Sequence, residues 1–137
     1  MHPFHLAIPV KSLEPCRTFY RDVLGCEEGR SDEHWVDFNF FGHQLVIHQN
    51  PTLKNKMNTS SVDDKAVPVP HFGVILNWDE WETLAKEMTR INTSFIIEPY
   101  IRFKGKTGEQ ATMFFLDPEG NAIEFKAFRN ENQVFKK

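Results

Sequence analysis

Two histidines and one glutamate have the types and places that could hold a divalent metal. His5 and His71 lie 66 residues apart, each at the head of an alternating stretch, and Glu124 sits in a third such stretch near the end of the chain. In Phe4-His5-Leu6-Ala7-Ile8-Pro9-Val10 the bulky apolar residues Phe4, Leu6, Ile8 and Val10 take every second place. After His71 the same is true of Phe72, Val74 and Leu76, and around Glu124 of Ile123, Phe125 and Ala127. Successive side chains of a strand point to opposite faces. The bulky sets are therefore expected to meet a helix, leaving His5, His71 and Glu124 to face a cavity. A lone strand histidine is ordinarily a structural residue. Two at equivalent strand starts, with an inward glutamate, make a donor set suited to Fe, Mn, Ni, Co or Zn with coordination positions left open.

Other polar residues fall on the same expected face. In Gln44 to His48, Leu45 and Ile47 should meet the helix, with Gln44, Val46 and His48 toward the cavity. His48 is a candidate fourth ligand or an acid/base group, with a plain strand-end histidine as the alternative. Arg102, with Glu98 and Tyr100, could grip a substrate carboxylate as a planar fork. The competing reading of Arg102, Lys104 and Lys106 is solvated loop charge. Lys126, two residues beyond Glu124, and Phe114 complete the candidate substrate contacts.

These side chains need a scaffold, and the chain supplies one twice. After the first strand, Ser12 is an expected N-cap and Pro15 falls in the first helical turn, where a missing N–H costs little. Phe19, Tyr20, Val23 and Leu24 recur at helical spacing, and Gly25 ends the helix. Extended stretches follow at Trp35–Phe40 and Gln44–His48, with Phe41-Gly42 as the turn. In the second half, Asp79 and Glu82 form an expected capping box, and Trp81, Leu84, Ala85 and Met88 an apolar stripe. Asn92 ends that helix, and strands are expected near 94–103, 110–116 and 121–128. Ser12 and Asp79 lie 67 apart, as do Gly25 and Asn92. Agreement with the histidine spacing to within one residue argues for an internal repeat. The expectation is an α+β fold of two βαβββ modules whose mixed sheets curl around a shared cavity. Module 1 covers about 3–49, a linker 50–69 that could also act as a lid, and module 2 about 70–128. A polar tail, 129–137, frays or docks on a partner. The segment 103–109 is an insertion relative to the first half, long for a strand connection.

The bulk composition sets limits. Hydrophobic residues make up 40% of the 137 and charged residues 26%, which is ordinary for a globular domain. A net charge of -3 offers no electrostatic reason to expect nucleic acid or an anionic membrane as partner. No apolar run approaches the roughly 20 residues of a membrane span, and no signal peptide is recognisable. Two cysteines, not spaced as CxxC, suit a reducing cytoplasm. Thirteen phenylalanines imply an aromatic core, some of whose rings could line a ligand cavity.

The opening Phe4–Val10 with Phe19-Tyr20-Arg21-Asp22-Val23-Leu24-Gly25, the central Pro70-His71-Phe72-Gly73-Val74, and the closing Phe115-Leu116-Asp117-Pro118-Glu119-Gly120-Asn121-Ala122-Ile123-Glu124-Phe125 together resemble the vicinal-oxygen-chelate superfamily of glyoxalases, bleomycin resistance proteins and extradiol dioxygenases. The resemblance spans about residues 3 to 128. It implies that His5, His71 and Glu124 occupy the superfamily's metal positions. It also implies a small-molecule substrate and a homodimer, in which His5 of one chain could meet His71 and Glu124 of another. Glyoxalase I carries a ligand glutamate where Val46 stands. Ring-cleaving relatives carry a tyrosine where Phe114 stands, and fosfomycin-modifying relatives a hydroxyl where Ala7 stands. The expectation is a metal-dependent lyase or isomerase acting on an oxygen-rich substrate. An Fe(II) extradiol-type dioxygenase and a non-catalytic drug-binding protein are the alternatives.

Overall fold

The computed structural model describes residues 1–54 and 58–137. The chain divides into two compact units. One holds the elements before residue 55 together with Asp117–Gly120, and the other holds the rest.

In the first unit, strand β1 (His5–Val10) leads into helix α1 (Leu13–Thr18). A π-helical turn, Phe19–Val23, extends the helix in place of the continuous α-helix expected. Gly25 then turns the chain at φ 71°, the left-handed region that a glycine enters without steric cost. Strands β2 (Glu27–Ser31), β3 (Trp35–Phe40) and β4 (His43–Gln49) complete a sheet in the order β1-β4-β3-β2. β1 pairs with β4 in parallel, and the other pairs are antiparallel. Ile8 and Val10 are buried as alternation requires, but Phe4 lies just outside β1 and is 65% exposed rather than packed on the helix.

Tyr20 fixes the turn Asp117–Gly120 to this unit. Its fully buried hydroxyl donates to Asp117 Oδ2 at 2.7 Å. Burial, with the Asp117 carboxylate beside it, pushes the Tyr20 phenol well above its ordinary pKa. The motif that carries Tyr20 and the motif that carries Asp117 are thus two halves of one contact, 97 residues apart in sequence.

The second unit repeats the plan. Strand β7 (Phe72–Leu76), helix α2 (Trp78–Arg90), and strands β8 (Phe95–Arg102), β9 (Gln110–Leu116) and β10 (Ala122–Phe128) form a sheet in the order β7-β10-β9-β8, with β7 parallel to β10. α2 buries Trp81, Ala85 and Met88, and the Trp81 indole donates to the Phe125 carbonyl at 2.8 Å. Its capping box is formed by Asn77 and Glu80, not by Asp79 and Glu82. The helix starts at Trp78, which puts Asp79 inside its first turn, and the side chain of Asn77 takes the Glu80 N–H. Asn92, at φ 58°, closes the helix in the left-handed conformation that Gly25 adopts in the first unit.

The segment expected as a linker carries structure of its own. Strands β5 (Asn58–Val62) and β6 (Lys65–Val69) form a hairpin. Its turn residues Asp63 and Asp64 both have positive φ, 50° and 59°. Aspartate tolerates that region better than most residues because its short polar side chain can bond locally. Val67 buries itself with Ile97 and Phe114, and Val62 and Tyr100 pack against that group. A composition poor in apolar anchors concealed a hairpin held down by Val62, Val67 and the fully buried Pro68. The part of the expected linker at 55–57 lies outside the described residues.

The insertion 103–109 is tied down by the tail. Gly108 N–H donates to Gln133 Oε1 at 2.7 Å, Arg129 pairs with Glu109, and the Arg129 guanidinium lies 3.6 Å from the centre of the Trp78 ring. The tail includes a short 3-10 turn, Glu131–Gln133. Among the described residues no helix is long and apolar enough to cross a membrane.

Candidate metal centre

His71 and Glu124 come together in the second unit. Glu124 lies on β10, and His71 immediately precedes β7. Because Gly73 pairs with Glu124 across the parallel ladder, His71 sits two residues upstream on the same side. Its Nε2 is 3.1 Å from Glu124 Oε2. The other nitrogen of the ring, Nδ1, is 2.6 Å from the carbonyl oxygen of Pro68. A carbonyl can only accept, so Nδ1 carries a hydrogen, and in the neutral imidazole Nε2 keeps its lone pair facing the carboxylate. The ring also meets the edge of Phe114, with centroids 4.9 Å apart.

The carboxylate is held from its other side. Thr112 Oγ1 donates to Glu124 Oε1 at 2.7 Å, and Lys126 Nζ stands 3.6 Å from the same oxygen. Burial by itself would raise the Glu124 pKa, but the bonds from His71 and Thr112 and the Lys126 charge outweigh it and hold the carboxyl below its ordinary range. The bond to Glu124 in turn raises His71 above its usual value, against the opposing effect of burial. Nothing in the sequence pattern singled out Thr112 or the Pro68 carbonyl. Thr112 could have been found by parity, since it shares a face with Phe114 on β9.

A neutral His71 and an ionised Glu124 would be two electron-pair donors pointing at each other across 3.1 Å. Such an arrangement calls for a cation between or beside them, either a proton or a metal ion. The outer atoms of both groups are already bonded to protein, the pattern by which second neighbours orient metal ligands. Among the described residues no cluster of three His, Cys, Asp or Glu side chains able to hold a metal occurs.

His5 belongs to the first unit, exposed at the start of β1 and paired in register with Gln44. Its Nδ1 is 2.8 Å from Gln44 Oε1, while Gln44 Nε2 donates to Asp37 Oδ2 at 3.1 Å. Asp37 takes the amide hydrogens, so the oxygen of Gln44 is the end that meets His5. This again makes Nδ1 the protonated nitrogen and leaves the Nε2 lone pair outward. Ala7 pairs with Val46, as Gly73 pairs with Glu124. Val46 is therefore the counterpart of Glu124 by ladder register, and it is buried. His48 faces solvent beside Pro9, four residues along β1 from His5 and roughly 13 Å away at strand spacing.

The remaining candidates have protein partners. Arg102 donates through Nε to Asp63, and Tyr100 donates its hydroxyl to the same Asp63 oxygen at 3.0 Å. Phe114 is 4% exposed and Lys126 half-buried, both on the Glu124 face. Cys16 and Cys26 are buried and free, and burial chiefly raises each thiol to about 12, so neither offers a thiolate.

No curated protein matches the chain significantly. Among solved structures, a glyoxalase/bleomycin resistance protein/dioxygenase from Alicyclobacillus acidocaldarius is 28% identical, with a TM-score of 0.80 over 98% of this chain and 96% of that one. A genomically encoded fosfomycin resistance protein from Listeria monocytogenes shares the fold at 16% identity, with a TM-score of 0.70 over 98% of each chain. A lactoylglutathione lyase from Agrobacterium tumefaciens does so at 16% identity, with a TM-score of 0.65 over 92% of each. The family model described as Glyoxalase/Bleomycin resistance protein/Dioxygenase superfamily matches residues 2–125, and the chain belongs to that superfamily.

Proposed function

We propose that this protein is a metal-dependent enzyme of the lyase or isomerase type, acting on a small oxygen-rich substrate, with His5, His71 and Glu124 as metal ligands. The observation that carries this reading is the 3.1 Å approach of His71 Nε2 to Glu124 Oε2, with Nδ1 and Oε1 already bonded to Pro68 and Thr112. His5 is the natural third donor because Gln44 holds its ring with Nε2 outward. His48 is left out of the ligand set on account of its distance along the strand from His5.

A bound divalent ion would act as a Lewis acid toward substrate oxygens and stabilise developing negative charge there. The chain's own groups would do the rest. Thr112 and the Pro68 carbonyl fix the directions of the two ligands. Lys126 places a positive charge beside the carboxylate. Phe114, buried against the imidazole, keeps water from one side of it. Phenylalanine at that place offers no hydroxyl, which weighs against ring cleavage of catechols.

We further propose that His5 reaches the site from a second copy of the chain. In a twofold homodimer, residue i of one copy meets residue j of the other, so a first-module histidine of one chain can face second-module groups of its partner. Metal content of untagged protein tests the ligand set. One ion per chain is expected in the wild type and none in His71→Ala. An unchanged metal content in that variant would remove the basis of the reading. Mixing His5→Ala with His71→Ala chains tests the second copy. Random pairing should restore about a quarter of the metal sites, whereas ligands from one chain would restore none.

A further inference from the structure

Asp63 is the carboxylate that Arg102 and Tyr100 hold, and it is carried by the turn of the β5–β6 hairpin. Two groups bond it, and a third brings a positive charge nearby. Arg102 Nε and the Tyr100 hydroxyl bond the same oxygen, and the Lys65 ammonium lies 4.7 Å from the centre of the Tyr100 ring. The bonds from Arg102 and Tyr100 keep the Asp63 carboxyl below its ordinary range. The geometry is what a ligand carboxylate would meet if the hairpin turn were elsewhere.

The seat lies on the same face of the second sheet as the metal candidates. Lys126, Thr112 and Tyr100 form one row across β10, β9 and β8, adjacent to the row that holds Glu124 and Phe114. By strand spacing the seat is roughly 10 Å from the Glu124 carboxylate. The hairpin does not seal against β8 along its whole length. A cleft of about 480 Å³ remains beside Ile96, Ile97 and Glu98, lined on the hairpin side by Lys65 and Pro68. The side chain of Lys65 thus borders both the seat and the cleft, and the isoleucines and proline offer room for an apolar body.

We propose that Arg102 and Tyr100 form a carboxylate seat for the ligand of this site, and that Asp63 occupies it as an internal stand-in, holding the hairpin closed until a carboxylic acid displaces it. This deepens the reading of the site given above, since it names the ligand as an acid whose carboxylate sits remote from its metal-binding oxygens. Arg102 then serves two states, pairing with Asp63 when closed and with the ligand when open. Displacement costs the Asp63 contacts, so the apparent affinity for any acid is lowered by the fraction of molecules that are closed.

Titration with benzoate in the presence of a chelator, read from the NMR signals of the labelled Tyr100 ring, tests this without metal. Asp63→Asn keeps a residue that accepts positive φ and is expected to tighten benzoate binding about tenfold. Asp64→Asn removes the same charge one residue along the same turn and should leave the affinity unchanged. Arg102→Gln should abolish binding. The proposal is overturned if Asp63→Asn binds no more tightly than the wild type, if Asp64→Asn tightens binding equally, or if Arg102→Gln still binds. Loss of metal binding in His71→Ala alongside any of these results would leave the metal reading standing while the seat falls.

Discussion

His71 Nε2 and Glu124 Oε2 approach to 3.1 Å, and with a neutral imidazole both would present lone pairs. In the absence of metal the proton is the cation available. The bond to Glu124 raises His71 above 6.5, and its contribution to stability is therefore complete below about 6.5 and lost as pH rises through the raised value. Glu124 is lowered from 4.5, so its contribution is present above about 4.5 and lost as pH falls through the lowered value. Thermal melts of chelator-treated wild type and His71→Gln should differ most between these limits and converge as pH rises past the His71 value. A difference that grows with pH would show that the pair does not share a proton.

Removing Thr112's hydroxyl should loosen the carboxylate without disturbing the fold. Thr112 is 2% exposed and donates to Glu124 Oε1. Thr112→Val keeps the shape and β-branching, but it frees one carboxylate oxygen. Loss of a partner that orients a ligand typically weakens metal affinity by about 10- to 100-fold. Competition against a chromogenic chelator measures this. An affinity equal to wild type would mean that Glu124 does not bind metal through a Thr112-directed geometry.

Glycine is required at position 73 by its neighbour rather than by its own backbone angles. A β-carbon added there would lie 1.5 Å from the Glu124 carbonyl oxygen, part of the ladder that joins β7 to β10. Backbone atoms of a central strand cannot move aside as a flexible side chain could. Gly73→Ala should therefore destabilise the protein by about 3 kcal/mol or more, at the upper end of the cost of overpacking. Chemical denaturation measures the change. Ala7, the counterpart in the first module, already carries the methyl group, so the restriction belongs to the second sheet alone.

Much of the fold was legible because alternation and helix punctuation are local. The β9 and β10 boundaries fall within a residue of expectation, and Gly25 and Asn92 both adopt the left-handed conformation their types suggested. The capping box was misplaced by two residues because Asp79 and Glu82 satisfy the same spacing rule as Asn77 and Glu80. Alternation alone places Phe4 against the helix, because parity does not report where a sheet ends. The hairpin at 58–69 escaped because its two anchoring valines gain their contacts from Ile97 and Phe114, far along the chain. At the site, parity put His71 and Glu124 on one face. It could not reveal Asp63 as the partner of Arg102, since that contact joins a hairpin turn to the end of a strand 39 residues away.

Tyr20 and Asp117 make a long-range test of the fold. The Tyr20 hydroxyl is fully buried, and Asp117 is only 4% exposed. Tyr20→Phe removes the donor and keeps the ring with its neighbours Phe38 and Phe40. The Asp117 carboxylate then loses a hydrogen bond where water has little access, while keeping the Glu119 N–H that donates to Oδ1 at 2.9 Å. A hydrogen bond to a charged group contributes about 1.5–3 kcal/mol. The variant should therefore unfold at lower denaturant with an unchanged slope, and it should recover part of that loss when Asp117 is also replaced by Asn, which removes the charge that needs the bond. Additive losses in the double variant would show that the two side chains stabilise the protein independently.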